Sequence, residues 1–397
     1  MTTAPTDRRC QVSFLPWAGL DTGQRIGGVE MWRASEDELD RRVSDVSVRE
    51  HLKRYFKCYV TPFGKQADSI IVCELEAKDF SVLADTDLAR IRRAADALYF
   101  VATSTQTWWS IGGGHQSPSP SAEQFQLVHQ NFRPGSDYIA IESGNVLNGG
   151  VRLDTVRFTR PWHVGVWHRQ PDKHVLAAVD RLLDPGVDAT TRARFTRCFE
   201  WFRLAHAGAD DVSPFSRVVM MATAFEVLLQ IPRNGKTQFF AEAIDTRLVR
   251  SDHTKMPVKL WPGAKQTIDL APMGIWARDF YDLRSAIVHG DDLAPERLRF
   301  SSAVRGDLTH LMVADLVLWE CVVRELHTLR LLRIDGDPLK LVDPKTGATE
   351  ELPSPDLAAD WGDVFLPLIF SLNKLHEALG WLPPRERRTR EGGCIRD

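Results

Sequence analysis

Two residues in the C-terminal half of the chain, Arg284 and His289, have the side chains that acid–base chemistry on a phosphate ester needs. Histidine exchanges a proton near neutral pH, because its ordinary pKa is about 6.5. Arginine presents a planar fork of N–H donors that binds phosphoryl oxygens and stabilises negative charge developing on them. This pair is therefore the first candidate for a functional site.

The five-residue separation of Arg284 and His289 carries little weight alone, because the same kind of spacing recurs in the chain. The recurrences are Arg169 with His174, Arg305 with His310, and Arg247 with His253. The context of Arg284 and His289 is what distinguishes them. Apolar residues recur at helical spacing over 272–289, and Gly290 follows at the position of a helix C-cap.

The residues around this pair resemble those of the Apea-like family of HEPN domains, helical domains that carry an Arg-x4–6-His motif. The resemblance rests on the string Tyr281-x-x-Arg284-Ser285-x-Ile287-Val288-His289-Gly290. Residues 224–229 are similar to an upstream core helix of the family, and the resemblance covers roughly 186–332. The region before it also looks like the segment that often precedes this type of HEPN domain.

The resemblance implies a metal-independent endoribonuclease, used as a toxin or as a phage-defence effector. RNA carries its own nucleophile, the 2′-hydroxyl, so His289 would act on that proton and Arg284 would stabilise the phosphoryl charge. The expected product ends in a 2′,3′-cyclic phosphate, and no metal or other cofactor is expected. A second hypothesis is a non-catalytic module that binds RNA or a protein partner as a sensor or scaffold.

Two features bear on catalysis. Residues five apart on an ideal helix point about 140° apart, so one chain does not easily close Arg284 and His289 on one phosphate. Family members commonly dimerise so that two motifs share a cleft, and a homodimer is therefore expected. The residue after the arginine is Asn, Asp or His in many active members, whereas here Ser285 can hydrogen-bond but does no acid–base work near neutral pH. A structural alternative remains, in which Arg284 pairs with Asp282, Asp291 or Asp292.

Glu226 and Tyr281 are supporting candidates. Glu226 lies in an apolar stretch, VMMATAFEVLLQ, and a carboxylate buried there would need a partner. It would either form an ion pair that orients Arg284 or lie on a partly exposed helix face. Tyr281 belongs to the family-like string.

A basic segment after the third bundle helix is the candidate RNA-binding patch. Over 247–265 the cations outnumber the single carboxylate of Asp252, and Trp261 lies among them. The cations are Arg247, Arg250, Lys255, Lys259 and Lys265. Cations with an aromatic side chain suit single-stranded RNA. The alternative is a solvated linker.

The elements that carry these residues change in character along the chain. The first 165 residues read as short strands with two helices, one beginning at Ser35 and one over about 87–102. From about 171 the pattern is helical, with no strand signal. Helices are predicted at 190–207, 214–230, 236–250, 272–289 and 302–332.

This pattern predicts an α+β protein in four parts. They are a mixed α/β domain of unknown role at 1–165, a helical bundle at 171–332, an extension at 333–380 ending in a helix at 364–379, and a disordered basic tail at 381–397. The resemblance implies that the bundle at 171–332 is an Apea-like HEPN domain. The segment 302–332 is apolar on nearly every face. We expect a homodimer or the helix at 364–379 to cover it.

Composition limits the class of protein. Hydrophobic residues make up 43% and charged residues 26%, with a formal net charge of −3, so any RNA contact must be local. No long apolar run or secretory signal is evident, so a cytoplasmic protein without a membrane span is expected. No CxxC occurs, and His163 and His168 lack further ligands, so no metal site is expected.

Overall fold

The structure is a computed structural model of the chain. It describes residues 8–20, 23–76, 78–112, 121–143, 146–162, 164, 171–208, 212–248, 255–259, 265–301, 308–335, 340–342 and 349–350. The predicted helix at 364–379 and the predicted tail at 381–397 lie outside these residues. The α+β class predicted from the sequence is confirmed.

The strands are distributed along the whole described chain. They are β1 Cys10–Leu15, β2 Gln24–Ile26, β3 Val29–Arg33, β4 Tyr59–Val60, β5 Ile71–Leu75, β6 Val128–Phe132, β7 Tyr138–Ser143, β8 Val146–Arg152, β9 Phe158–Thr159, β10 Met256–Lys259, β11 Thr267–Leu270, β12 Arg299–Ser301, β13 Leu308–Thr309, β14 Arg333–Asp335, β15 Lys340–Val342 and β16 Thr349–Glu350.

The α-helices fall into two groups. Those of the N-terminal region are α1 Glu36–Arg42, α2 Val46–Phe56 and α3 Asp85–Gly112. Those that follow are α4 Lys173–Leu182, α5 Ala189–Ala205, α6 Pro214–Leu229, α7 Lys236–Leu248, α8 Pro272–His289 and α9 His310–Thr328.

An antiparallel sheet of order β2-β3-β5-β1-β6 organises the N-terminal region. Alternate residues of each central strand face opposite sides of the sheet. Residues of both sets are buried, so both faces of the sheet are covered. Met31 and Cys73 pack towards α3, whereas Trp32 and Val72 pack into the core that contains Leu52 of α2.

The core on the α3 side continues into the helical part of the chain. α3 packs against α4, α5 and α9 as well as against strands of the sheet. One set of buried side chains therefore runs from β3 and β5 to α6 and α9. The division into separate domains stays a prediction.

Several local predictions were wrong. α2 and β6 were not among the predicted elements, and α4 lies in the part expected to be helical from about 171 but was given no bounds. The helix predicted at 87–102 ends later than expected, since α3 continues to Gly112. The segment after α7 was read as a loop, but Met256–Lys259 pairs with Thr267–Leu270 as a hairpin.

The apolar segment predicted as one helix at 302–332 differs from that prediction in its bounds. α9 begins at His310 rather than at 302, because Leu308–Thr309 pairs with Arg299–Ser301. α9 is buried on most of its surface by α3, α4, α6 and α7. Further cover by a second copy or by the helix at 364–379 stays a prediction, because that helix lies outside the described residues.

Candidate functional site

α8 carries Arg284 and His289, and its bounds match the predicted 272–289. Proline occupies the first helical position, where no N–H is needed. Asp245 of α7 accepts a hydrogen bond from the N–H of Ala271 over 2.6 Å and so caps the helix from a neighbouring element. At the other end Gly290 adopts the left-handed conformation, with φ of 79°, and its N–H bonds back into the last turn.

Arg284 is held by an ion pair inside the bundle. Its Nη2 lies 3.2 Å from Oε1 of Glu226 on α6. The exposed fractions of the two side chains are 19% and 15%, so the pair is mostly shielded from water. Of the two alternatives for Glu226, the ion pair with Arg284 is the arrangement present, and none of the aspartates considered for Arg284 takes that place.

Glu226 has two further partners. The hydroxyl of Tyr281 donates to Oε1 over 2.6 Å, and the ammonium of Lys236 donates to Oε2 over 2.5 Å. The guanidinium of Arg284 also lies over the Tyr281 ring, 5.3 Å from its centroid. One carboxylate thus faces two cations, and the cluster of Glu226, Lys236, Tyr281 and Arg284 keeps one excess positive charge.

Tyr281 stays a hydrogen-bond donor in this cluster. Burial raises the pKa of Tyr281 well above its ordinary value, and the bond to the Glu226 carboxylate raises it further. Removing the phenolic proton would place a second negative charge beside Glu226. Tyr281 and Lys236 therefore fix the carboxylate that fixes Arg284.

His289 lies on a different surface from the ion pair. It is the last residue of α8 and is exposed, as is Val288 with 52% of its surface exposed. Because α8 is continuous from Arg284 to His289, the two side chains leave the helix about 140° apart. Ser285, next to Arg284, is half-buried. A single chain does not bring Arg284 and His289 together on one atom.

The cations of the proposed basic patch divide into two that are paired with carboxylates and two that are exposed to solvent. Arg247 donates two hydrogen bonds to Oε1 of Glu325 on α9, over 3.1 and 2.9 Å, and Lys255 donates to Asp245 over 2.6 Å. Lys259 and Lys265 are exposed at the β10–β11 hairpin. Arg250 and Trp261 lie outside the described residues. The RNA-binding role of this segment stays a prediction.

The sequence analysis did not single out Lys236. The signal for it was weak, because Lys236 follows Gly235 at the start of α7 and reads as an ordinary surface lysine. Only the packing of α7 beside α6 brings it to Glu226.

The described members of the other pairs with similar spacing lie in different surroundings. Arg247 shares the carboxylate of Glu325 with Arg194, over 2.9 and 3.0 Å. His310 is buried, and burial lowers its pKa to about 4. His174 lies in the first turn of α4, where its backbone N–H bonds to Asp172. Arg169, Arg305 and His253 fall outside the described residues, as do His163 and His168.

Over the residues that the structure describes, no group of three His, Cys, Asp or Glu side chains is placed to hold a metal ion. No helix in that part is long and apolar enough to cross a bilayer.

Comparisons with known proteins returned no match to a family model, to a curated protein or to a solved structure.

Proposed function

We propose that this chain is a HEPN-like, metal-independent endoribonuclease whose reacting groups are Arg284 and His289. The observation that supports it is the cluster around Glu226, which fixes Arg284 near the end of α8 with one excess positive charge. His289 is exposed at that end and free to reach a phosphate. As the resemblance implies, the enzyme would act as a toxin or phage-defence effector, and from the sequence we expect it to do so in the cytoplasm.

The proposed reaction needs only these two groups. His289 takes the proton of a 2′-hydroxyl, and the oxygen attacks the adjacent phosphorus. The bond from phosphorus to the 5′-oxygen breaks, and that oxygen takes a proton from water while protonated His289 returns its proton to the solvent, which gives a 2′,3′-cyclic phosphate and a 5′-hydroxyl. Arg284 neutralises charge on the non-bridging oxygens as it develops.

The active form is a pair of chains. Arg284 and His289 diverge by about 140° on one helix, so Arg284 of one copy and His289 of the other would face the same phosphate. Helices of the same chain pack against α9, so the proposed dimer does not depend on the apolar surface of that helix. The divergence of the two side chains on α8 is the argument that remains.

Mixing two inactive variants tests this arrangement. Arg284→Ala and His289→Ala copies are each expected to be inactive on a labelled structured RNA in EDTA. Mixed after dissociation and reassembly, they should regain about one quarter of wild-type activity, because half of the dimers are mixed and each has one intact site. Folded variants that never regain activity together, beside an active wild type, would contradict a shared site.

A second candidate function is RNA binding without cleavage. The observation that favours it is that Arg284 is engaged by Glu226 within the chain and that Ser285 supplies no second acid–base group. Binding of a labelled RNA, measured by fluorescence anisotropy with cleavage followed in the same samples, separates the two. Tight binding with intact RNA and a verified dimer supports the binding module.

A further inference from the structure

Two large aromatic side chains face the solvent at one end of the N-terminal region. Phe63 and Trp162 are 76% and 74% exposed, and their ring centroids lie 5.2 Å apart with an angle of 86° between the planes. Large apolar side chains are ordinarily exposed one at a time. Here Phe63 and Trp162 contact each other and form one exposed apolar patch, which we call the aromatic corner.

The backbone that carries this pair is tied down on both sides. β4 and β9 pair in parallel, with Val60 opposite Thr159, and the N–H of Arg160 donates to the carbonyl of Val60 over 2.9 Å. On the other side of β4 the N–H of Thr61 donates to the carbonyl of Lys65 over 2.7 Å. Gly64, with φ of 75°, closes the turn that presents Phe63.

Aromatic packing beneath the pair fixes the two strands. The rings of Tyr59 and Phe158 are stacked with centroids 4.8 Å apart, and Trp17 lies 5.6 Å from Tyr59. Tyr59 and Trp17 are buried. The exposed rings are therefore attached to strands whose inward residues are locked in the core, which lowers the entropy cost of binding.

The surroundings of the pair are basic. Residues 59–66 and 155–162 contain Lys65, Arg157 and Arg160 and no carboxylate. The acidic residues that flank these segments, Asp154 and Asp68, are paired with Arg152 over 2.7 Å and with Arg33 over 3.3 Å, and the charge of Asp68 also acts on Arg160. Among the described residues Nε of Arg160 is buried and has no hydrogen-bond acceptor.

We propose that Phe63 and Trp162 form a stacking site for the unpaired bases of single-stranded RNA, with Lys65, Arg157 and Arg160 contacting the phosphates. Every base has a π-face, so such a site binds with little sequence preference. The inference rests on the proposed function only in taking RNA as the ligand. It adds a second contact region on the N-terminal part of the chain, separate from α8.

Fluorescence anisotropy tests this site with a labelled 2′-O-methyl oligouridylate, which cannot be cut because its 2′-oxygen is blocked. Trp162→Ala and Phe63→Ala should each weaken binding about tenfold at fixed salt, since each removes a stacking surface. Tyr138→Ala is the matched control, because Tyr138 is a similarly exposed aromatic with 54% of its surface exposed. An abasic oligomer of the same length should bind weakly to wild type and equally to all variants.

The outcomes separate this inference from the proposed cleavage. Equal binding by folded Trp162→Ala, folded Phe63→Ala and wild type overturns the stacking site, whatever the cleavage assays show. Loss of binding in these variants supports it even if the wild type cuts no RNA. If vesicles of phosphatidylcholine and phosphatidylserine bind wild type but not Trp162→Ala, and the oligouridylate binds neither, the aromatic corner is a membrane contact and the RNA site is wrong.

Discussion

Oε1 of Glu226 lies 3.2 Å from Nη2 of Arg284, and this pair joins α6 in the bundle to the last turns of α8. The two residues are far apart in sequence, and each also contacts Tyr281. The position of the one arginine that the proposed chemistry needs is thus set by a carboxylate on another helix.

Replacing Glu226 should destabilise the fold. Glu226→Gln leaves Lys236 and Arg284 facing each other without a carboxylate, and we expect a loss of roughly 1–3 kcal/mol in the free energy of unfolding. Tyr281→Phe removes only one hydrogen bond and should cost about 1 kcal/mol. Urea denaturation measures both, with Glu200→Gln on the exposed side of α5 as the control. If Glu226→Gln is no less stable than Glu200→Gln, the cluster does not stabilise the fold.

Gly274 is required where α8 approaches α7. A methyl group there would lie 2.9 Å from Cβ of Asp245 and 2.8 Å from its Oδ1, the oxygen that caps Ala271. Alanine ordinarily stabilises a helix relative to glycine by about 1 kcal/mol. We nevertheless expect Gly274→Ala to destabilise by roughly 1–3 kcal/mol, because overpacking displaces Asp245. An unchanged or higher midpoint of thermal unfolding would show that the two helices separate easily.

His206 should make stability fall as the pH rises. Its Nδ1 lies 2.8 Å from the carbonyl of Phe202 and its Nε2 lies 3.0 Å from Asp315, so both nitrogens face acceptors. Burial alone lowers the pKa of His206, but the carboxylate of Asp315 and the Phe202 carbonyl more than compensate, and the net pKa is raised. The charge of Arg217 lowers the pKa of His206 and so acts against Asp315. The ring of Tyr99 lies edge-on to the His206 ring.

A raised histidine pKa gives stability that is complete below the unfolded value of about 6.5 and is lost as the pH rises through the folded value. The free energy of unfolding of wild type should therefore decrease from about pH 6 upward relative to His206→Asn. Parallel curves for the two proteins between pH 6 and pH 8 would show that folding does not raise the pKa of His206.

His51 should have the opposite effect on the acid side. Its ring stacks on Phe132 with centroids 4.6 Å apart, and burial, aided by the charge of Arg54, lowers its pKa to about 4. The neutral ring is therefore favoured in the fold, and stability present above about pH 6.5 is lost as the pH falls towards 4. His51→Phe keeps the stacking and removes the proton uptake, so its unfolding midpoint should be less sensitive to acid. Equal acid sensitivity would exclude this role.

The sequence could predict elements whose signal is local. The period of apolar residues and the caps located α8, where Pro272 and Gly290 mark the two ends. Ser35 with Glu38 three residues later is a capping pattern that predicted the start of α1. In the structure the N–H of Glu38 donates to the hydroxyl of Ser35. The strand β5 was likewise predicted from its own residues, because 69–76 is an apolar run of strand length.

Contacts between distant segments could not be predicted in this way. Lys236 reaches Glu226, and Arg247 reaches Glu325, only because helices pack in a particular order. The β10–β11 hairpin was missed because Pro257 and the polar residues around it resemble a loop. α3 packs against α9 although the two helices are far apart in sequence. The residues of either helix alone therefore do not predict this contact.

Cleavage of a labelled RNA in EDTA by wild type and by His289→Ala tests the central proposal most directly. His289→Ala removes the proton-transfer group and should lower the rate by about 10²–10⁴, with folding checked by circular dichroism. His174→Ala, which changes a histidine of similar spacing in α4, should cut at the wild-type rate. Metal-independent cleavage is therefore predicted for wild type and for His174→Ala, and its loss for His289→Ala. A folded His289→Ala that cuts as fast as wild type would contradict it.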